Sequence, residues 1–284
     1  PIILYFIVAN ANVQTGISLE HMFLGGLIPG ILMVGMMTLY SRRLISKEAV
    51  AGKKFDWVES RCAVWEAKWE LMIPVVAITA LFSGVFSTPV AAAALTALYA
   101  LFVELVIHRE LRPFKDLPRV MTECGLLVGG VLLILGVAMS FTKDFLVFAM
   151  IPDLAIEWGT ANIESKYVFL LALNCFLLLV GCLMDIYSAI VVVVPLLLPL
   201  GAAFGIDPIH LGIIFLANLE LGYLTPPVGL NLFLSAYRFK RPVMEVAKAS
   251  LPMLIVLAIS VLLITYIPFL TTFLPNLILG RSGP

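Results

Sequence analysis

Two places in this sequence set polar or ionisable side chains beside helix-breaking residues, inside long apolar runs. The first is Gly181-Cys-Leu-Met-Asp185-Ile-Tyr-Ser188. Asp185 has apolar runs on both sides, and an isolated acid at membrane depth costs roughly 2.5–3.5 kcal/mol on insertion scales. It must bind a cation, take hydrogen bonds across the break, or accept a proton. Because it precedes an apolar helical stretch, capping that helix is the alternative reading. The second place is Asn218-Leu-Glu220-Leu-Gly222-Tyr-Leu-Thr225-Pro226-Pro227-Val-Gly229-Leu-Asn231. Pro226 and Pro227 remove two backbone donors and disfavour helix at the residues before them. Gly222 and Gly229 permit unusual backbone angles. Carbonyl oxygens freed here are hard ligands for a small cation, and a helix restarting after Pro227 carries partial positive charge suited to a carboxylate. Thr225 and Asn231 add side-chain oxygens, and Asn218 joins the candidate set by its chemistry. A plain proline kink is the alternative.

The elements that position these residues are membrane-spanning. Hydrophobic residues make up 62% of the 284-residue chain and charged residues 13%, against about 45–50% and 25% in soluble domains. Mean hydropathy is +1.08. Apolar stretches long enough to enter a bilayer run over Met22–Tyr40, Leu71–Val85, Ala91–Ile107, Cys124–Phe141, Tyr167–Leu200, Ile209–Tyr237 and Leu251–Leu274. They do not alternate as barrel strands would. The Tyr167 and Ile209 stretches contain the two breaks.

Basic residues fix the sides. Arg42, Arg43, Lys47, Lys53 and Lys54 follow the first stretch, and His108, Arg109, Arg112, Lys115 and Arg119 follow the third. Arg238, Lys240, Arg241 and Lys248 follow the Ile209 stretch. All three groups belong in the cytoplasm, and the acid-rich region Asp153–Glu164 belongs outside. The Tyr167 stretch must then cross an even number of times. Its halves, Tyr167–Val180 and Ala189–Leu200, span about 20 Å each against a core of about 30 Å. A re-entrant hairpin entering from outside fits, with two short full spans as the alternative. In Lys54–Leu71, Val58, Cys62, Trp65 and Trp69 share a helix face at i, i+4, i+7 and i+11, which predicts an interfacial helix at the cytoplasmic surface.

Other function classes find little support. A net charge of zero argues against a nucleic-acid partner. Cys62, Cys124, Cys175 and Cys182 lack metal-ligand spacing and read as small buried hydrophobes. His21 and His108 lie near span ends and His210 near the outer end of a helix; all three read as interfacial, without the partners an intramembrane enzyme needs. No polar ring along one helix marks a channel. A broken helix paired with a re-entrant tip is the plan of a secondary-transporter site.

The same residues resemble a known family. The run Gly181–Asn231, with Met184, Asp185, Pro195 and Pro199 in MD-x9-P-x3-P spacing, then GIDPIHLGII and LGYLTPPVGLNLF, resembles the large membrane subunit of tripartite ATP-independent periplasmic (TRAP) transporters. Ile17–Met33, Glu66–Pro89, Ala97–Leu101, Tyr266–Leu270 and Leu274-Pro275 extend the resemblance along nearly the whole chain. It implies an all-α polytopic, inverted-repeat, elevator-type transporter in a bacterial or archaeal cytoplasmic membrane. Sodium would be the coupling ion, with no other cofactor and no catalytic residues. A periplasmic binding protein would deliver an organic acid (a C4-dicarboxylate, sialic acid, or another sugar or keto acid), and a small four-helix membrane subunit would brace the scaffold. The alternative is a related sodium/carboxylate carrier that needs no binding protein.

Carried onto this sequence, the resemblance puts Asp185 at the hairpin tip, and Thr225, Pro226, Pro227 and Gly229 in the unwound helix. A sodium ion would lie near Asp185, Gly222 and Thr225, with Gly181 in the same set. It divides the chain into residues 1–40 (end of a first repeat and a scaffold helix), 41–70 (arm helix) and 71–166 (scaffold and connecting arm). Residues 167–237 are the transport hairpin and unwound helix, and 238–284 the last span. The family acid after the central Thr-Pro is replaced, since Val90 and four alanines follow Thr88-Pro89. Pro1, which matches the end of the family's first Pro-Pro motif, leaves the first repeat incomplete.

Overall fold

The computed structural model describes residues 1–12, 17–44, 56–82, 89–109, 111–140, 149–227 and 229–280. Every regular element among them is helical: α1 (Ile2–Asn12), α2 (Leu19–Leu44), α3 (Trp57–Glu66), α4 (Lys68–Phe82), α5 (Pro89–Phe102), α6 (Asp116–Ser140), α7 (Ile151–Asn162), α8 (Lys166–Leu183), α9 (Ile186–Ala203), α10 (Pro208–Gly222), α11 (Leu230–Phe239), α12 (Val243–Tyr266) and α13 (Phe269–Leu279). A π-helical turn, Val103–His108, prolongs α5. Among the described residues, five helices are long and apolar enough to cross a membrane: α2, α5 with its extension, α8, α9 and α12. Lys47, Lys53, Lys54, Thr88 and Phe141, used above for sides and span ends, lie outside the described residues.

The chain forms two units. The smaller, Ile45–Val131, holds α3, α4, α5 and most of α6. Asp56 caps α3 by accepting the Val58 N–H at 2.7 Å, and α3 ends at Ala67, so the expected arm helix is two helices rather than one. Trp57 and Trp65 are exposed, and Lys68 Nζ lies 4.1 Å from the Trp65 ring centre. α4 and α5 pair, joined by a Tyr99 hydroxyl bond to the Trp69 carbonyl and by His108 Nε2, 2.8 Å from Glu70.

The larger unit, Pro1–Leu44 and Leu132–Pro284, is built around α10. Twelve of its fifteen residues are buried, so it is enclosed on all sides rather than amphipathic. Asp207 starts it by accepting the N–H groups of Ile209 and His210, with Pro208 at the first helical position, where its missing donor costs nothing. α1, α2, α8, α9, α12 and α13 pack around α10. The core joins Tyr5, Met22, Leu177, Ile190, Ile214 and Phe215. Exposed apolar side chains such as Ile31 and Val34 on α2 suit contact with lipid tails. The architecture is that of a polytopic membrane protein.

Two sequence expectations change. The stretch Leu251–Leu274 is not one span: α12 begins earlier, at Val243, and ends at Tyr266, and α13 follows. Pro268 disfavours helix at Ile267 and lacks an N–H. Cys62, Cys124 and Cys175 are exposed and only Cys182 is buried, because a membrane helix can turn a weakly polar side chain to lipid instead of a core. α7 packs on α9 with Gly159 facing Leu200 and Phe204.

Candidate functional site

The first break is shorter than the sequence indicates. α8 continues through Gly181 to Leu183, and α9 starts at Ile186, leaving Met184 and Asp185 alone in extended conformation. Each leg has 18 residues, about 27 Å of helix, rather than the shorter halves expected. The two legs form a closed hairpin. At its base, Lys166 Nζ donates to the Gly205 carbonyl at 2.8 Å, and the Phe169 and Phe204 rings stack with centroids 4.2 Å apart. The chain therefore enters and leaves on the same side.

Asp185 is the N-cap of α9. Its Oδ2 accepts the backbone N–H of Tyr187 at 3.0 Å and of Ser188 at 3.2 Å. Its Oδ1 accepts the Ser188 hydroxyl at 2.6 Å. A carboxylate offers about four lone-pair directions, so the cap leaves one on Oδ1 for another partner. The side chain is exposed at the tip.

The second break runs from Tyr223 to Gly229, with Val228 outside the described residues. α10 closes with the Tyr223 N–H on the Leu219 carbonyl and the Thr225 N–H on the Gly222 carbonyl. The Thr225 hydroxyl donates to the Leu221 carbonyl at 2.9 Å, which turns its lone pairs away from the helix. Pro226 and Pro227, joined by a cis peptide, are exposed. A Cβ on Gly229 would fall 2.8 Å from both the Tyr223 and the Thr225 carbonyl oxygens. The two oxygens therefore face one point beside a residue that must be glycine. α11 then starts without a side-chain cap, Asn231 standing half-buried in its first turn.

The two breaks meet. A Cβ on Gly222 would lie 2.6 Å from the Gly181 Cα and carbonyl carbon and 3.0 Å from the Cys182 nitrogen. The reverse substitution would put a Cβ 3.1 Å from the Gly222 Cα. α8 and α10 thus touch backbone to backbone near their C-terminal ends, just before the two breaks, as small residues allow between membrane helices. Beyond the contact, Tyr223 reaches the Ile186 backbone and feels the charges of Asp185 and Glu220. Gly181 and Gly222 touch here, Tyr223 links them to the Asp185–Ile186 turn, and the Tyr223 and Thr225 carbonyls converge on Gly229, with Pro226, Pro227 and Asn231 on the connected segment.

Asn218 is placed differently. It lies inside α10, four residues before Gly222, with its Nδ2 donating to Asn174 Oδ1 at 2.6 Å and to the Ile214 carbonyl. His210, expected at an interface, is buried at 1% exposure. Its Nε2 faces the Thr265 carbonyl at 3.2 Å and its Nδ1 the Thr271 hydroxyl at 2.8 Å. The break at Ile267-Pro268 explains this: Thr265 stands at the end of α12, where a helix leaves its last carbonyls unpaired. A carbonyl only accepts, so Nε2 carries the hydrogen. Sequence reading missed Asn174, Thr265 and Thr271 because mid-helix polar residues carry no local signal of their partners.

Residues 1–270 match the family model described as the tripartite ATP-independent periplasmic transporter, DctM component. The chain is similar to the C4-dicarboxylate TRAP transporter large permease protein DctM of Vibrio cholerae, 33% identical over 95% of this chain and 63% of the relative. Its counterpart in Pseudomonas aeruginosa is 35% identical over 92% of this chain and 61% of the relative. The sialic acid TRAP transporter large permease protein SiaM of Vibrio cholerae is 30% identical over 99% and 64%. The chain thus spans a little over three-fifths of the length of these curated relatives. With a family match along almost its whole length, the chain belongs to the DctM component family of tripartite ATP-independent periplasmic transporters.

Proposed function

We propose that this chain forms part of the large permease subunit of a sodium-driven secondary transporter that imports an organic acid across a bacterial or archaeal cytoplasmic membrane. The observation that carries this reading is the backbone contact of Gly181 with Gly222, which sets the two helix breaks side by side. Sodium takes hard oxygen ligands, and the junction offers the Tyr223 and Thr225 carbonyls, the Thr225 hydroxyl lone pairs and the last acceptor direction of Asp185. The close approach of Gly181 and Gly222 sets the two segments that carry these groups side by side.

The substrate carboxylate belongs at α11. Each break is followed by a helix N-terminus, and helix N-termini attract anions. That of α9 is filled by the Asp185 carboxylate, whereas α11 starts without a side-chain cap. Asn231 adds an amide donor there. Sodium neutralises Asp185 and so lets an anionic substrate approach, which couples the two.

In this reading the α8–α9 hairpin and the α10–α11 pair form the moving body of an elevator. A periplasmic binding protein delivers the substrate, and a small membrane subunit braces the scaffold. The relatives' named substrates, C4-dicarboxylates and sialic acid, mark the chemical class. The test is uptake of a labelled organic acid into proteoliposomes holding the complete permease and the small subunit. Uptake requiring both a sodium gradient and the binding protein is expected. Uptake on sodium alone would make it a self-sufficient carrier, and uptake without sodium would remove the ion from the junction.

A further inference from the structure

The hydrogen bond between Asn174 and Asn218 serves neither ion nor substrate in that scheme, yet it is fully built. Asn174 is 7% exposed and Asn218 1%. Asn174 Oδ1 accepts from Asn218 Nδ2 at 2.6 Å and from the Thr265 hydroxyl at 3.1 Å. Each carboxamide also donates to a carbonyl one turn back on its own helix, that of Leu170 or Ile214. These local bonds hold each side chain in one orientation, aimed across the helix seam. Buried amides are costly without partners and discriminating with them.

Their spacing explains what the bond does. Asn174 precedes Gly181 by seven residues, two turns, and Asn218 precedes Gly222 by four, about one turn. Residues so spaced share a helix face. The amide bond and the glycine contact therefore lie on one seam between α8 and α10. The glycine contact sets how closely the helices approach, but leaves them free to slide along each other. The amide bond, a second and directional point on the same seam, fixes the slide.

We propose that Asn174 and Asn218 are positioning residues that lock the register of the hairpin's first leg against the broken helix. The lock keeps the two breaks opposed, and the Thr265 hydroxyl extends it to α12. The inference rests on the reading of the junction as the ion site, but its own content is the register.

The test uses the complete permease with Asn174→Leu, Asn218→Leu and the double variant. Leu keeps the approximate volume and removes the directional bond. Sodium half-saturation, read from sodium-dependent thermal shift and from uptake, is expected to rise about tenfold in each single variant. The double variant is expected to be no worse than either single, because both remove the same bond. In a cysteine-free background, spin labels at Leu183→Cys and Glu220→Cys report the register, and their distance distribution is expected to shift or broaden in the Leu variants. Variants that melt earlier with unchanged half-saturation and unchanged distances would reduce the pair to ordinary packing and overturn the lock. A wild-type permease that ignores sodium, with distances that still shift in the variants, would sink the ion site and leave the lock standing.

Discussion

At the scale of single residues, Asp185 shows how one side chain can hold two roles. Its carboxylate caps α9 with three hydrogen bonds, and one acceptor direction remains. Asn keeps the capping oxygen but loses the charge, so the two roles separate by substitution. Asp185→Asn is expected to retain the melting temperature while sodium half-saturation rises at least tenfold. Asp185→Ala is expected to lose sodium response and, in addition, about 1 kcal/mol of stability from the cap. If Asp185→Asn keeps wild-type sodium dependence in uptake, Asp185 is a cap and nothing more. Gly222 has no such latitude. Gly222→Ala places a methyl group 2.6 Å from the Gly181 backbone, where neither helix has a flexible atom to move. Overpacking of this kind costs about 1–3 kcal/mol, and the strain is relieved by parting the two breaks. The expected result is a protein that inserts and assembles but binds sodium weakly, read by sodium titration of its thermal unfolding. The types of these residues were legible in the sequence, because an acid, two prolines and several glycines in apolar runs have few innocent explanations. Their convergence was legible only through the family resemblance, which puts Gly181, Asp185, Gly222 and Thr225 in one set. Nothing local to Gly181 announces Gly222, since the contact depends on how two helices cross.

At the scale of elements, breaks marked by strong local chemistry were legible and those repaired by tertiary partners were not. The break between α10 and α11 carries two prolines and two glycines and stands where the sequence puts it. The break between α12 and α13 carries Pro268 alone, inside an apolar run that reads as continuous. What holds α13 in place is remote: Thr271 and the freed Thr265 carbonyl both engage His210 on α10. This accounts for the misreading of His210 as interfacial, because a histidine two residues into a helix resembles an interfacial anchor until its partners are known. His210→Phe preserves most of the ring volume and removes both hydrogen bonds. It is expected to cost about 1–3 kcal/mol through the unpaired buried carbonyl and to lower the melting temperature of the detergent-solubilised protein. An unchanged melting temperature would mean that water or lipid headgroups satisfy the carbonyl equally well. Sodium dependence is expected to survive, since His210 lies three turns of α10 away from Gly222.

At the scale of the whole molecule, charge and hairpin geometry constrain the topology together. Basic residues close α2 (Arg42, Arg43), follow the α5 extension (Arg109, Arg112, Lys115, Arg119), and cluster from the last turn of α11 into the start of α12 (Arg238, Lys240, Arg241, Lys248). The positive-inside rule predicts a cytoplasmic position for all three groups. The α8–α9 hairpin is tied at its base by Lys166 and Gly205, so Ser165 and Asp207 share one side whatever depth the tip reaches. From that side, the positive-inside rule requires α10 and α11 together to make one crossing and deliver Lys240 to the other. Single cysteines at Ser165, Lys115 and Lys240, in a cysteine-free background, test this arrangement in intact cells with a membrane-impermeant maleimide. Ser165→Cys is expected to label from outside, and Lys115→Cys and Lys240→Cys only after the membrane is permeabilised. External labelling of Lys240→Cys would mean that α10 and α11 turn back rather than cross. The unwound segment between them would then be the tip of a second hairpin, with its carbonyls open to one side of the membrane only. A single-sided segment can bind an ion but cannot hand it across by breaking and remaking one helix, so the proposed coupling would fail with the topology.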